Sequence, residues 1–225
     1  MGTLAVHLKA TYLQLRIYIW AVIIFILLGR LAEFIVGLFT DSSQNTVLSD
    51  GNLLLLILLI FAIVLPLSYY KRIVHLGASR AQYFWGLQFV HIAWAAALAI
   101  FNTLWPMLEV TVLHKNTVNL IEAFHWNEFG MAGSFLYQTA FYLMAMALLS
   151  MLISGYYHLA GWLLWALFIV AIPTGTAIPS LRVHVVSFFE ALLFNSSLLA
   201  GVGFNLVLFF IFVAGGWFFT RGRTH

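Results

Sequence analysis

Cysteine is absent from this sequence and charge is scarce, at 8% of 225 residues. The missing thiols exclude disulfides, thiolate metal ligands and cysteine nucleophiles. A soluble domain needs roughly a quarter of its residues charged to cover its surface, so water is not the main solvent of this chain. Signatures of chemistry are missing too. There is no Gly-x-x-x-x-Gly-Lys-Ser/Thr phosphate loop and no His-Glu-x-x-His motif, and the eight histidines include no i, i+4 pair. No apolar run holds paired carboxylates, and Ser134 in Ala-Gly-Ser has no histidine at matching depth. A hydrolytic constellation is therefore not recognisable, and the chain is expected to be no enzyme and to carry no metal or cofactor of its own. Ten Lys and Arg against seven Asp and Glu give a formal charge of +3. The cations are scattered, form no contiguous basic face, and argue against nucleic acid as a partner.

What the sequence does have is apolar length. Hydrophobic residues make up 64% of it and the mean hydropathy is +1.02. The apolar runs are continuous for about 20 residues, as a spanning helix needs, and lack the alternation of a barrel strand. The reading is an all-α membrane protein with six transmembrane helices, at 17–39, 52–70, 84–105, 132–153, 159–178 and 204–219. Nothing divides the chain, so residues 1–225 are read as one domain. The first run lacks a small-residue cleavage pattern and is kept as a retained span. Lys9, Arg16, Lys71, Arg72, Arg80, Arg221 and Arg223 fall in alternate connections that hold no Asp or Glu. The opposite connections hold Asp41, Asp50, Glu109, Glu122, Glu128 and Glu190, with only Lys115 and Arg182 as cations. By the positive-inside rule both termini are expected in the cytoplasm, in a multi-pass protein of a bacterial plasma membrane. Trp20, Trp85, Trp105, Trp126 and Trp217 near span ends are expected as headgroup anchors. Trp94, Trp162 and Trp165 are expected to pack or to face lipid.

The connection Tyr69–Gly86 between spans two and three is the most informative stretch. Ile73 and Leu76 lie three apart on one face of a short helix, with Lys71, Arg72 and His75 polar. Gly77 suits the C-cap of that helix and Ser79 the N-cap of the next. A short helix lying across the end of two spans is one reading; a basic turn that merely sets topology is the other. Lys71-Arg72, then Leu76-Gly77-Ala78-Ser79-Arg80 and an aromatic restart, resembles the permeases of ATP-binding-cassette (ABC) exporters of the type-2 class. The resemblance implies six spans, cytoplasmic termini and an amphipathic first helix, for which Leu4–Leu15 is available. It implies a coupling helix at Lys71, Arg72, Ile73, His75, Leu76, Gly77, Ser79 and Arg80 that docks on a separate ATPase subunit. ATP and Mg would then sit on that partner, a second permease chain would complete a dimer, and the cargo would be an amphiphile such as an antimicrobial peptide, a lipid or a drug. It also implies short re-entrant helices between spans five and six, where Ser180–Gly203 is too apolar for a solvated loop. An interfacial helix lying flat on the membrane explains that stretch nearly as well.

Polar residues inside the spans are the candidates for a translocation path. Arg30 and Glu33 stand three apart in span one, which suits either a path or a self-contained pair near the interface. Gln88, His91 and Asn102 make span three polar, facing either a cavity or another helix through hydrogen bonds. The segment from Pro106 to Gly130 is expected as a small amphipathic cap. A six-span substrate-binding subunit of a vitamin uptake transporter remains the alternative, and an intramembrane enzyme a weaker one.

Overall fold

The computed structural model describes residues 15–21, 23–24, 27, 47–75, 77–112 and 117–223. Most of the first expected span, all of the Leu4–Leu15 helix but Leu15 itself, and Arg30, Glu33 and Leu76 lie outside the described residues. Among the described residues, five helices are long and apolar enough to cross a membrane: Asp50–His75, Arg80–Thr111, Trp126–Gly155, Leu159–Ala177 and Leu198–Gly222. They coincide with the second to sixth runs read from sequence, and they suit a multi-pass membrane protein.

The first of these begins with a 3-10 turn, Asp50–Leu53, and continues as α1 (Leu54–Val64), a π-helical turn (Leu65–Tyr69) and α2 (Tyr70–His75). Pro66 brings no N–H to the ladder, so the helix widens there instead of repeating its regular bond. Carbonyls in and before this turn find side-chain donors: Ser68 Oγ donates to Val64 O at 2.8 Å and Arg223 Nη1 to Pro66 O at 2.9 Å. Tyr70–His75 runs on from the span without a break, because the widened turn continues the helix.

That stop comes at Gly77. Its φ of 91° lies in the left-handed region, where a side chain would clash. The N–H groups of Gly77 and Ala78 close back on Val74 O and Ile73 O. Ser79 then starts α3 (Arg80–Thr111) with a reciprocal capping box to Gln82, satisfying two otherwise unpaired donors. The expected caps at Gly77 and Ser79 are both present.

After α3 comes a two-residue strand, β2 (Thr117–Val118), paired in parallel with β1 (Val47–Leu48). This bridge is an addition to the all-α reading; two residues carry no legible alternation. The one-turn helix α4 (Leu120–Ala123) and a 3-10 turn (Trp126–Phe129) lead into α5 (Gly130–Gly155). Helix α5 is the centre of the bundle, packed against α1, α3 and α8 (Leu198–Gly222), with Tyr137, Met146 and Ala147 buried along it. Residue size sets the approach of α8: a methyl on Gly201 would overlap the Tyr137 ring.

Helix α6 (Leu159–Ala177) leaves α5 at an equally close turn, where a methyl on Gly161 would overlap the Gly155 carbonyl. Beyond it most of α6 stands outside the bundle, with Leu163, Leu167, Ile169 and Val170 each at least 59% exposed. The chain turns at Ile178 into α7 (Pro179–Leu193), a continuous amphipathic helix.

Candidate functional site

Four of the cations among the described residues, Lys71, Arg80, Arg221 and Arg223, gather at one end of the bundle, whereas Arg182 lies on α7. Arg80 on α3 donates to the carbonyl of Arg221 at the end of α8. Arg223 reaches Pro66, and its guanidinium lies 4.1 Å from the ring centroids of both Tyr70 and Tyr157. His158 meets Phe219 O at 3.0 Å. Helices α2, α3 and α8 and the α5–α6 turn therefore converge on this basic pole. Lys71, His75, Gly77 and Ser79 are exposed there, Arg80 is half-buried and Ile73 is buried against the core. Of the residues assigned to coupling from sequence, Lys71 and His75 expose a polar side chain here; the side chain of Arg72 lies outside the described ones. Ile73 instead anchors α2.

The polar residues of α3 lie on one face. Gln88, His91, Asn102 and Glu109 are all buried. From the first to the last, at about 1.5 Å per residue, the helix rises roughly 32 Å, the thickness of a bilayer core. They form two separate groups. Away from the basic pole, Asn102 is a hub. Its Nδ2 donates to Gln138 Oε1 at 2.9 Å and to Tyr142 OH at 3.2 Å, and its Oδ1 accepts from Asn119 at 3.0 Å. Gln138 donates on to Thr103, and Asn119 to Ser49. A methyl on Gly51 would overlap Asn102 Oδ1, so the 3-10 turn before α1 closes over the hub. Glu109 nearby accepts from Trp105 Nε1 at 2.8 Å, Thr117 Oγ1 at 2.7 Å and the Asp50 N–H at 3.1 Å. Its carboxylate thus ties the β-bridge and the start of α1 to α3. Charge-assisted bonds of this kind compensate the desolvation of a buried acid.

Nearer the basic pole, Gln88 and His91 are different. His91 is fully buried and, among the described residues, neither ring nitrogen has a hydrogen-bond partner; Gln88 Oε1 also lacks one. Ala95, Leu98 and Ala99 separate this pair from Asn102. The three residues taken together as a polar path from sequence are thus split: Asn102 holds helices together, while Gln88 and His91 remain open to a further partner. No group of three His, Cys, Asp or Glu side chains able to hold a metal occurs among the described residues.

A third arrangement was missed entirely from sequence. The last carbonyls of α7, which have no partner within their own helix, are captured by side chains from elsewhere. Leu193 O accepts from Trp126 Nε1 at 2.8 Å, and Leu192 O from Tyr137 OH at 3.1 Å and Asn205 Nδ2 at 3.0 Å. Trp126, expected as a headgroup anchor, is 2% exposed and stacked on Tyr137. Its indole N–H serves α7, not the membrane surface. Trp94 does pack as expected, edge-on to Phe61. Ser134 Oγ lies 2.8 Å from both the Trp126 and Gly130 carbonyls, occupied in holding the turn into α5. The polar spacing Ser134, Gln138, Tyr142 within an otherwise apolar run, one helical turn apart each time, was a signal for the α5 partners of Asn102 and not for this cluster. No protein-family model, no curated protein and no solved structure matches this chain.

Proposed function

We propose that this chain is the membrane-spanning subunit of an ATP-driven exporter of the ABC type-2 class, six spans with cytoplasmic termini, working as a pair of such chains. The observation that carries the reading is the construction of the basic pole. Lys71 and His75 are exposed on a helix continuous with a span, stopped by Gly77, followed by a capped restart at Ser79, and braced on α8 by Arg80. A push on such a rigid projection moves α1, α3 and α8 together. A partner that binds it with different affinity in its two nucleotide states would bias two arrangements of the bundle. ATP and Mg then belong to the partner subunit, and this chain supplies the conformational change that moves an amphiphilic cargo. The exposed apolar faces of α6 and α8 are available to lipid and to the second chain.

The test is co-purification from the native membrane in mild detergent with ATPase activity as the readout. Lys71→Glu combined with His75→Glu is expected to abolish the associated activity, while the unfolding midpoint of the chain stays within a degree or two, as for most exposed positions. Undiminished ATPase activity in the double variant would remove the reading.

A second reading, a substrate-capture subunit of an uptake transporter, is favoured by one observation only: Gln88 Oε1 and both ring nitrogens of His91 lie buried and, among the described residues, without partners inside a span. Buried polar groups normally have partners, and a polar ligand would supply them. That reading expects tight binding of a small polar molecule by the isolated chain, visible as a ligand-dependent rise in unfolding temperature that His91→Leu removes.

A further inference from the structure

We propose that the basic pole holds a phosphate-class oxyanion, gripped by Arg223, Tyr70 and Tyr83. Arg223 is 3% exposed. One nitrogen of its guanidinium donates to Pro66 O, and the tyrosine rings of Tyr70 and Tyr157 cover its faces at 4.1 Å. The other terminal nitrogen, Nη2, is buried with no partner among the described residues. Tyr83 stands edge-on to Tyr70 with ring centroids 5.0 Å apart, and both hydroxyls are buried and unpartnered. Both residues are only 1% exposed.

Three orphaned donors in one contiguous cluster are a costly arrangement. A desolvated guanidinium is tolerated when an opposite charge stands against it. Among the described residues none does. The acids Asp50, Glu109, Glu122, Glu128 and Glu190 belong to the far pole, in or beside the Asn102 and Trp126 clusters, Glu190 one turn before the Leu193 carbonyl that Trp126 binds. What is unfilled here is donor capacity next to positive charge, so the complementary ligand is an anion with several acceptor oxygens. A tetrahedral phosphate has the matching chemistry: it can accept an N–H and two O–H groups at once, and guanidinium is suited to it. Depth agrees as well. The cluster lies at the ends of the candidate spans, where a spanning helix would meet lipid phosphates, and Lys71, Arg80 and Arg221 add long-range attraction. This site does not depend on the ATPase partner.

The full chain, delipidated in an uncharged maltoside detergent, provides the test. The probes are phosphatidylglycerol, diacylglycerol with the same acyl chains, and inorganic phosphate, read by unfolding midpoint and by retention in native mass spectrometry. Phosphatidylglycerol is expected to raise the midpoint and diacylglycerol not to. Arg223→Gln is expected to weaken binding about tenfold and Tyr83→Phe a few-fold, whereas Arg182→Gln in the exposed stretch of α7 leaves it unchanged. Because Tyr83→Phe removes a hydroxyl that bonds to nothing, the lipid-free variant should unfold no earlier than the parent. A response to inorganic phosphate with the same dependence on Arg223 and Tyr83 supports the site with a free anion as its source; a response to phosphatidylglycerol alone assigns it to a lipid headgroup. Equal binding by the parent, Arg223→Gln and Tyr83→Phe overturns the proposal. So does a lower lipid-free midpoint for Tyr83→Phe, which would mean that water satisfies the hydroxyl.

Discussion

At the scale of single residues, stability is concentrated in a few polar side chains placed where lipid-facing segments can least tolerate them. Asn102 makes three side-chain bonds that join α3 to α5 and to the segment before α4. Interhelical hydrogen bonds in membranes average about 0.6 kcal/mol, with a maximum near 1.7. Asn102→Leu removes all three and leaves Gln138 and Asn119 short of partners, so a loss of about 2 kcal/mol is expected in reversible denaturant unfolding. Asn102→Asp keeps the acceptor for Asn119 and loses the donor to Gln138 and Tyr142. If polar contact at that position were all that mattered, the two variants would match; the account expects the aspartate to be at least as damaging, since it also buries a charge. Much of this was out of reach of the sequence. Asn102 and Gln88 look alike as single polar residues in an apolar run, and only the register of α5, which sets Gln138 and Tyr142 beside one and no partner beside the other, separates them. Trp126 failed for the same reason: its position near a span end is what a headgroup anchor has, and its partner, Leu193 O, is distant in sequence.

At the scale of elements, the helices that sequence shows best are those whose signals are local. Apolar runs of spanning length and the Gly77 and Ser79 caps depend on neighbours only, and they stand where the sequence places them. The π-turn was not visible, although Pro66 marked it, because whether a proline kinks, stops or widens a helix depends on which side chains take the released carbonyls. Helix α7 was left open between two readings for a similar reason. Its burial pattern is weak, and its fixation comes from Trp126, Tyr137 and Asn205 at one end. The α5–α6 turn offers a direct check of how closely elements are fitted. A methyl on Gly161 meets backbone, which cannot move aside as a side chain can. Gly161→Ala is therefore expected to cost about 1–3 kcal/mol and to make α6 and α7 proteolytically accessible before the rest of the bundle. The neighbouring Ala160→Gly, exposed on the same turn, should cost no more than about 1 kcal/mol, the propensity difference.

At the scale of the whole molecule, the defining feature is polarity along the axis. The cations Lys71, Arg80, Arg221 and Arg223 sit at one end, and Asp50, Glu109, Glu122 and Glu128 at the other. Charge distribution of this kind orients a protein in its membrane. The absence of cysteine makes the orientation easy to read. Ala81→Cys at the basic pole is expected to react with a membrane-impermeant maleimide only in inverted vesicles, and Asn127→Cys at the far pole only in right-side-out vesicles. Both positions are exposed.

The central claim is that another, ATP-hydrolysing protein grips the projection at the basic pole. A photo-crosslinking amino acid in place of His75, activated in native membranes, tests it most directly. The account predicts one dominant adduct with a protein that binds and hydrolyses ATP, lost when Lys71 is changed to Glu and absent when the same probe replaces Asn127. An adduct with lipid alone, or a protein adduct formed equally from both poles, would contradict it.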